Sequence, residues 1–229
     1  MTWFDPDRSY SFADKPAFSA FPIARPGYPY IFAAAFVTAV FALLGLILPA
    51  LLCLGLTIFI CAFFRDPDRL VPQDENALVS PADGRIVYAG MEEKGPFVDG
   101  PCLKISIFMS VFNVHINRAP LSCKVEKVAY YPGRFLNASL DKASRYNERN
   151  ALFLEDDKGR QIVCVQVAGL VARRILCAVG PGDSLERGVR FGMIAFGSRV
   201  DLYLPQDATP LVRVGDRVWG GSSVIGKMP

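Results

Sequence analysis

Histidine is almost absent from this chain: His115 is the only one in 229 residues. Any chemistry that needs an imidazole must use it, which narrows every candidate site. Cysteine occurs six times (Cys53, Cys61, Cys102, Cys123, Cys164, Cys177) but never as C-x-x-C, and two of the six lie in an apolar run. That pattern argues against a zinc site or a disulfide framework and for small buried hydrophobes in a reducing compartment. Charge of one sign is also scarce. The net charge is +3, and all of the excess follows Phe64, because Arg8, Lys15 and Arg25 balance Asp5, Asp7 and Asp14 before it. So small an excess gives no reason to expect a nucleic-acid partner. No G-x-G-x-x-G fingerprint, Walker loop or internal repeat is present.

What the chain has in plenty is apolar sequence. Residues 30–64 read YIFAAAFVTAVFALLGLILPALLCLGLTIFICAFF, 35 residues without a charge. The run does not follow a basic N-terminal region and has no evident cleavage site, so a removable signal peptide fits poorly. One straight span needs about 20 residues, so 35 is too long for one and slightly short for two. Pro49 near the middle is expected to break the helix. The reading is a tight helical hairpin that spans the bilayer or dips into one leaflet, with Arg65 and Arg69 marking the cytoplasmic face. Residues 1–29, rich in proline and aromatics, suit an interfacial arm.

From Ala77 onward the pattern changes to short runs broken by Gly, Pro and Asp: 103–108, 124–131, 161–169, 175–180, 198–205 and 212–221. Such spacing indicates a mainly β domain, a sandwich or barrel, over residues 65–229. Alternation is clearest where Val200, Leu202 and Leu204 interleave with Arg199, Asp201 and Tyr203. A polar stretch, 141–150, is expected as a short helix or a loop.

Three pieces could carry chemistry: SPADG at 80–84, VHINRAP at 114–120 and FGSR at 196–199. They offer Asp83, His115 and Ser198. A serine hydroxyl needs a base and the base needs an orienting acceptor, so these are the raw material of an activated nucleophile. Each also has a plain alternative: a turn aspartate, a core histidine, a serine entering a strand.

RDPDR (65–69), SPADG, VFNVHINR (111–118), PGRFLNASLDKAS with NERN (132–150), GLVARRI (169–175) and GMIAFGSRVDLYLP (192–205) together resemble, in order, the signature blocks of the short bacterial phosphatidylserine decarboxylases. The resemblance implies a membrane lyase that cuts itself between Gly197 and Ser198 into a β chain, 1–197, and an α chain, 198–229, which stay together as a heterodimer. It implies that Ser198 becomes a covalent pyruvoyl group, the only cofactor, and that this group condenses with the amine of phosphatidylserine. Carbon dioxide and phosphatidylethanolamine are the implied products. His115 is then the general base and Asp83 holds its tautomer. One branch of the family carries a second histidine three positions before the matched one; here Phe112 stands there, and His115 used twice is the first candidate for the proton donor. Higher oligomers stay open. So does the residue that binds the substrate carboxylate, with Arg199 and Arg173 as candidates.

A diacyl substrate accounts for the hairpin, since each buried CH₂ costs about 0.8 kcal/mol to extract. Location at the cytoplasmic face of the cell membrane follows. Between Arg118 and Asn150, seven Lys and Arg face three acids, a net +4 that suits anionic lipid. Two other classes draw on the same residues. A membrane-bound serine hydrolase of lipid esters lacks the G-x-S-x-G elbow. A non-enzymatic β-sandwich membrane adaptor would explain VGDRVWGGSSVIGKM (214–228), but Lys227 lies too near the end for a carrier lysine.

Overall fold

The computed structural model describes residues 23–74, 76–139, 143–170, 174–195 and 197–229. Most of the expected N-terminal arm, together with Asp141, Lys142 and Arg173, lies outside the described residues. The chain divides into two compact units, the first ending at Asp68 and the second running from Arg69 to Pro229.

In the first unit a 3-10 turn leads into helix α1 (Tyr28–Leu43), which is followed by α2 (Ile47–Phe63). Pro29 lies in the first turn of α1, where a missing N–H costs nothing. The break between the helices is not at Pro49. The chain turns at Leu44–Leu46, where Gly45 has φ 72°, and Pro49 sits in the first turn of α2, where no intrahelical partner awaits its nitrogen. Ala24 N donates to Phe64 O (2.8 Å), closing the open end of the hairpin. Thr38 and Thr57 meet across it at 3.2 Å, and each hydroxyl also donates to the carbonyl four residues back, Ala34 and Cys53. No residue of α1 is buried. Phe32, Leu43, Ile47 and Leu52 are all exposed.

The second unit is mainly β, as expected. Its strands are β1 (Ala77–Val79), β2 (Gly84–Glu92), β3 (Cys102–Met109), β4 (Ile116–Arg118), β5 (Cys123–Tyr131), β6 (Arg149–Glu155) and β7 (Gln161–Val167). Then come β8 (Ile175–Cys177), β9 (Ser184–Leu185), β10 (Arg190–Ile194), β11 (Ser198–Pro205), β12 (Thr209–Pro210), β13 (Arg217–Val218) and β14 (Val224–Lys227). Eight of them form one sheet in the order β13-β2-β3-β11-β7-β6-β5-β9; β1-β14-β12 and β4-β10-β8 form two small sheets. All pairings are antiparallel. One face of the large sheet (Ile86, Ile105, Ile107, Leu152, Val200, Leu202) shares a core with Leu78 and Ile225 of one small sheet and Phe191 and Ile194 of the other. This is sandwich-like layering.

Strand β11 is the centre of the large sheet, paired along its whole length with β3 and over Arg199–Tyr203 with β7. Its alternation sorts two faces, but neither is wet: Arg199, Asp201 and Tyr203 are buried as fully as Val200 and Leu202. The second face is covered by Phe97 and by helix α3 (Ala143–Tyr146) within the polar stretch. Arg199 Nε donates to Asp201 Oδ1 (2.5 Å) and its Nη2 to Ser106 Oγ (2.8 Å), while Ser144 Oγ donates to Asp201 Oδ2 (2.6 Å). Mutual neutralisation lets both charges sit in the interior.

Of the expected run 212–221 only Arg217–Val218 is a strand, because Asp216 Oδ2 accepts from Arg213 N (2.8 Å) and folds the preceding residues into a turn. The long strands β2, β6 and β10 and the short β1, β4, β9, β12 and β14 lie outside the six expected runs.

Candidate active site

Ser198 is the first residue of β11 and pairs with Met109, the last of β3. It is fully buried, and Oγ has no hydrogen-bond partner among the described residues. A buried hydroxyl without a partner costs free energy, so its retention calls for an explanation in function. Gly197 before it has φ 61°, the left-handed region that glycine enters without penalty. Its carbonyl oxygen lies where a Cβ on Gly169 would be, 1.8 Å from that position. Only glycine at 169 leaves room for the carbonyl.

Gly169 is itself held by a neighbour. Asn147, fully buried, donates from Nδ2 to Ala168 O and to Leu136 O, both at 2.8 Å, and accepts from Leu136 N at 3.0 Å. One amide thus ties the PGRFLNAS segment and the Ala168–Gly169 turn to the stretch that follows α3.

His115 follows β3 across a turn in which Asn113 Oδ1 accepts from the Ser110 backbone N–H (2.9 Å) and hydroxyl (2.7 Å). The ring is fully buried, and Nδ1 lies 2.9 Å from Asn113 O. A carbonyl only accepts, so Nδ1 carries the hydrogen and Nε2 the lone pair; Asn113 O holds the tautomer where Asp83 was expected to. His115 O accepts from Ile194 N (3.3 Å), which sets the histidine beside the end of β10, three residues before Gly197.

Asp83 sits in the SPADG turn. Its Oδ2 accepts from Arg69 Nη2 and its Oδ1 from Gly220 N, each at 2.7 Å. The turn reaches β4 through Arg118 N, which donates to Pro81 O (2.9 Å). Backbone contacts therefore draw the SPADG turn, the histidine strand and the Gly197–Ser198 end of β11 onto the margins of the small β4-β10-β8 sheet.

Two expected basic roles change. Arg199 is wholly buried in its pair with Asp201, so it is out of reach of a substrate carboxylate. The net +4 stretch is not one surface: Arg118 is buried and donates to Gly188 O (3.0 Å), and Arg149 lies over the Tyr131 ring at 4.9 Å. Gly169, Asn147, Asn113 and Arg69 are contributors that composition and spacing do not single out. Three of them stand inside the quoted blocks GLVARRI, NERN and VFNVHINR, and Arg69 closes RDPDR.

Taken together, fold and site define a mainly β enzyme with an enclosed serine after a left-handed glycine, a single tautomer-fixed histidine, and an apolar helical hairpin ahead of the catalytic unit. The family model for phosphatidylserine decarboxylase matches residues 56–226. Proteins named phosphatidylserine decarboxylase proenzyme are similar along most of the chain: from Desulfotalea psychrophila, 48% identical over 90% of this chain and 97% of the relative. That from Syntrophotalea carbinolica is 50% identical over 90% and 96%. That from Ralstonia nicotianae is 51% identical over 90% and 95%. The chain belongs to the phosphatidylserine decarboxylase family.

Proposed function

We propose that this protein cuts its own chain between Gly197 and Ser198 and then decarboxylates phosphatidylserine to phosphatidylethanolamine at the cytoplasmic face of the cell membrane. The observation that carries this reading is the pair itself: a fully buried serine hydroxyl directly after a glycine whose carbonyl is lodged against Gly169.

In the first reaction Ser198 Oγ adds to the Gly197 carbonyl carbon while His115 Nε2 takes the hydroxyl proton. As the C–N bond breaks, His115 returns that proton to the Ser198 nitrogen, so the amide becomes an ester and the nitrogen an amine. Loss of the Ser198 α-proton then expels the Gly197 carboxylate and leaves a dehydroalanine, which takes up water and releases ammonia. Asn113 O fixes the histidine tautomer, and Asp83, held by Arg69 and Gly220, is the acidic member of the site. Glycine at 197 adopts the left-handed φ of 61° without the penalty a Cβ would bring.

Position 198 fits the pyruvoyl group that results, being enclosed and held by its strand pairing on a rigid element. That group supplies a ketone that condenses with a primary amine and takes up the electron pair left when carbon dioxide departs. His115 Nε2, once it has taken a proton from water, would be the proton donor to the carbon that loses the carboxylate, since the Phe112 side chain has none to give. The apolar hairpin keeps the enzyme where its diacyl substrate is.

Denaturing electrophoresis and mass measurement of the purified protein test the reading. The expected result is a short fragment, residues 198–229, with a blocked N-terminus that reacts with carbonyl reagents. Ser198→Ala and His115→Ala are expected to leave one uncut chain; cutting of either variant at the normal rate would refute the mechanism.

A further inference from the structure

Beside the turn that orients His115 lies a cavity of about 530 Å³ whose walls include Arg85, Arg217, Ser110, Phe112, Asn113 and Trp219. That volume is in the range of small-ligand sites. Arg85 and Arg217 stand directly opposite each other, in register across β2 and β13. Like charges so placed repel, and a fold gains nothing from the arrangement by itself. Among the described residues no carboxylate lines the cavity and neither arginine forms an ion pair. Arg85 Nη1 donates to Gly215 O (3.0 Å), which steadies its guanidinium and leaves further N–H groups for a ligand.

The rim has a different character. Phe112 is 74% exposed and Trp219 53% exposed, two large aromatics held at the mouth of a cationic pocket. Aromatic side chains at a polar boundary are suited to the headgroup level of a lipid layer. Ser110 and Asn113 link this wall to the site through the chain: Ser110 follows Met109, the partner of Ser198, and Asn113 O holds His115 Nδ1.

From the paired arginines, the absence of acid and the aromatic rim, we propose that this cavity binds the phosphodiester anion of the substrate lipid, with Arg85 and Arg217 as its ligands and Phe112 and Trp219 facing the glycerol and acyl end. The proposal rests on the decarboxylase reading above. It makes the arginines specificity determinants: a phosphate-bearing serine is retained while free serine is not, since planar guanidinium groups grip phosphate oxygens two at a time.

The test uses the full-length, self-processed protein and monomeric short-chain phosphatidylserine. Arg85→Gln, Arg217→Gln and the double variant are expected to process normally on a denaturing gel, with KM raised roughly tenfold or more and kcat changed little. Arg→Lys at either position is expected to recover part of the affinity. Inorganic phosphate and glycerol phosphate are expected to inhibit the wild type competitively, and to inhibit the double variant weakly. Normal KM in the double variant overturns the proposal, as does phosphate acting without competition, which would mean a separate anion site. Weaker sedimentation with phosphatidylglycerol vesicles at unchanged KM also overturns it, leaving the arginines as surface contacts. A wild type that neither cuts itself nor releases carbon dioxide would refute the decarboxylase reading instead.

Discussion

Gly169 has no functional group, yet the Gly197 carbonyl, the proposed point of cutting, depends on it. With the Gly197 oxygen 1.8 Å from the place a methyl would take, a side chain at 169 must push the carbonyl away from Ser198 or shift the turn that Asn147 holds. Displacement of a reacting atom by about 1 Å can cost on the order of 100-fold in rate. Gly169→Ala is therefore expected to slow self-cleavage by about that factor while the circular-dichroism spectrum stays that of a folded β protein. A time course of chain cutting on denaturing gels reads the outcome, and cutting at the wild-type rate would show that the contact is not needed. Asn113 acts by the same logic at the histidine: its carbonyl fixes where the ring hydrogen points and supplies no bond-making atom of its own.

At the scale of elements, the hairpin and the second unit differ in what they expose. Helices α1 and α2 leave most of their apolar side chains exposed away from the seam between them, and their two threonines satisfy one another and their own backbones. That is the arrangement of segments that live in lipid, where an unsatisfied hydroxyl has no water to meet. Helix α1, with 16 residues, rises about 24 Å, less than the roughly 30 Å hydrocarbon core. A charge placed in mid-hairpin is thus expected to weaken anchoring and leave the chemistry of chain cutting alone. Leu52→Lys, at an exposed position of α2, should lower sedimentation with lipid vesicles roughly tenfold or more, from a cost of about 3 kcal/mol, with normal cutting on the gel. Unchanged vesicle binding would place the anchor elsewhere.

For the whole molecule the question is what a cut at 197 would release. The α chain would contribute β11 at the centre of the large sheet, β13 at one edge, and β12 and β14 of a small sheet. Its Arg199–Asp201 pair is closed over by Ser106 and Ser144 from the other product, and Gly220 N holds Asp83. Breaking one peptide bond leaves all of these contacts in place. Processed protein is expected to elute from a sizing column as one species containing both chains, and to separate only in denaturant. Two peaks under native conditions would mean that the sheet is not what joins them.

How much of this was legible in the sequence differs by residue. The apolar run announced two helices, and 103–108, 124–131, 161–169 and 198–205 announced strands, because burial on a regular element writes its own period. Strand β2 was obscured because its polar and small residues hide any alternation, and its bulge between Ile86 and Tyr88 breaks the period. The serine, histidine and aspartate stood out by residue type and by the family blocks. Arg199 also stood out, as a ligand for substrate; burial beside Asp201 gave it a different task.

By itself the sequence determined the things that depend on near neighbours: the uncharged hairpin, the β-rich catalytic region, the single imidazole and the Gly197–Ser198 pair. Only the tertiary structure decided which distant residues surround that pair. Asn147 beneath Gly169, Asn113 on the histidine ring, Arg69 on Asp83, and Arg85 against Arg217 are set by strand register and by turns meeting across the fold. Apart from Asn113 and His115, which share one turn, such contacts join positions 14 or more residues apart, and no local pattern of hydrophobic or polar residues records them.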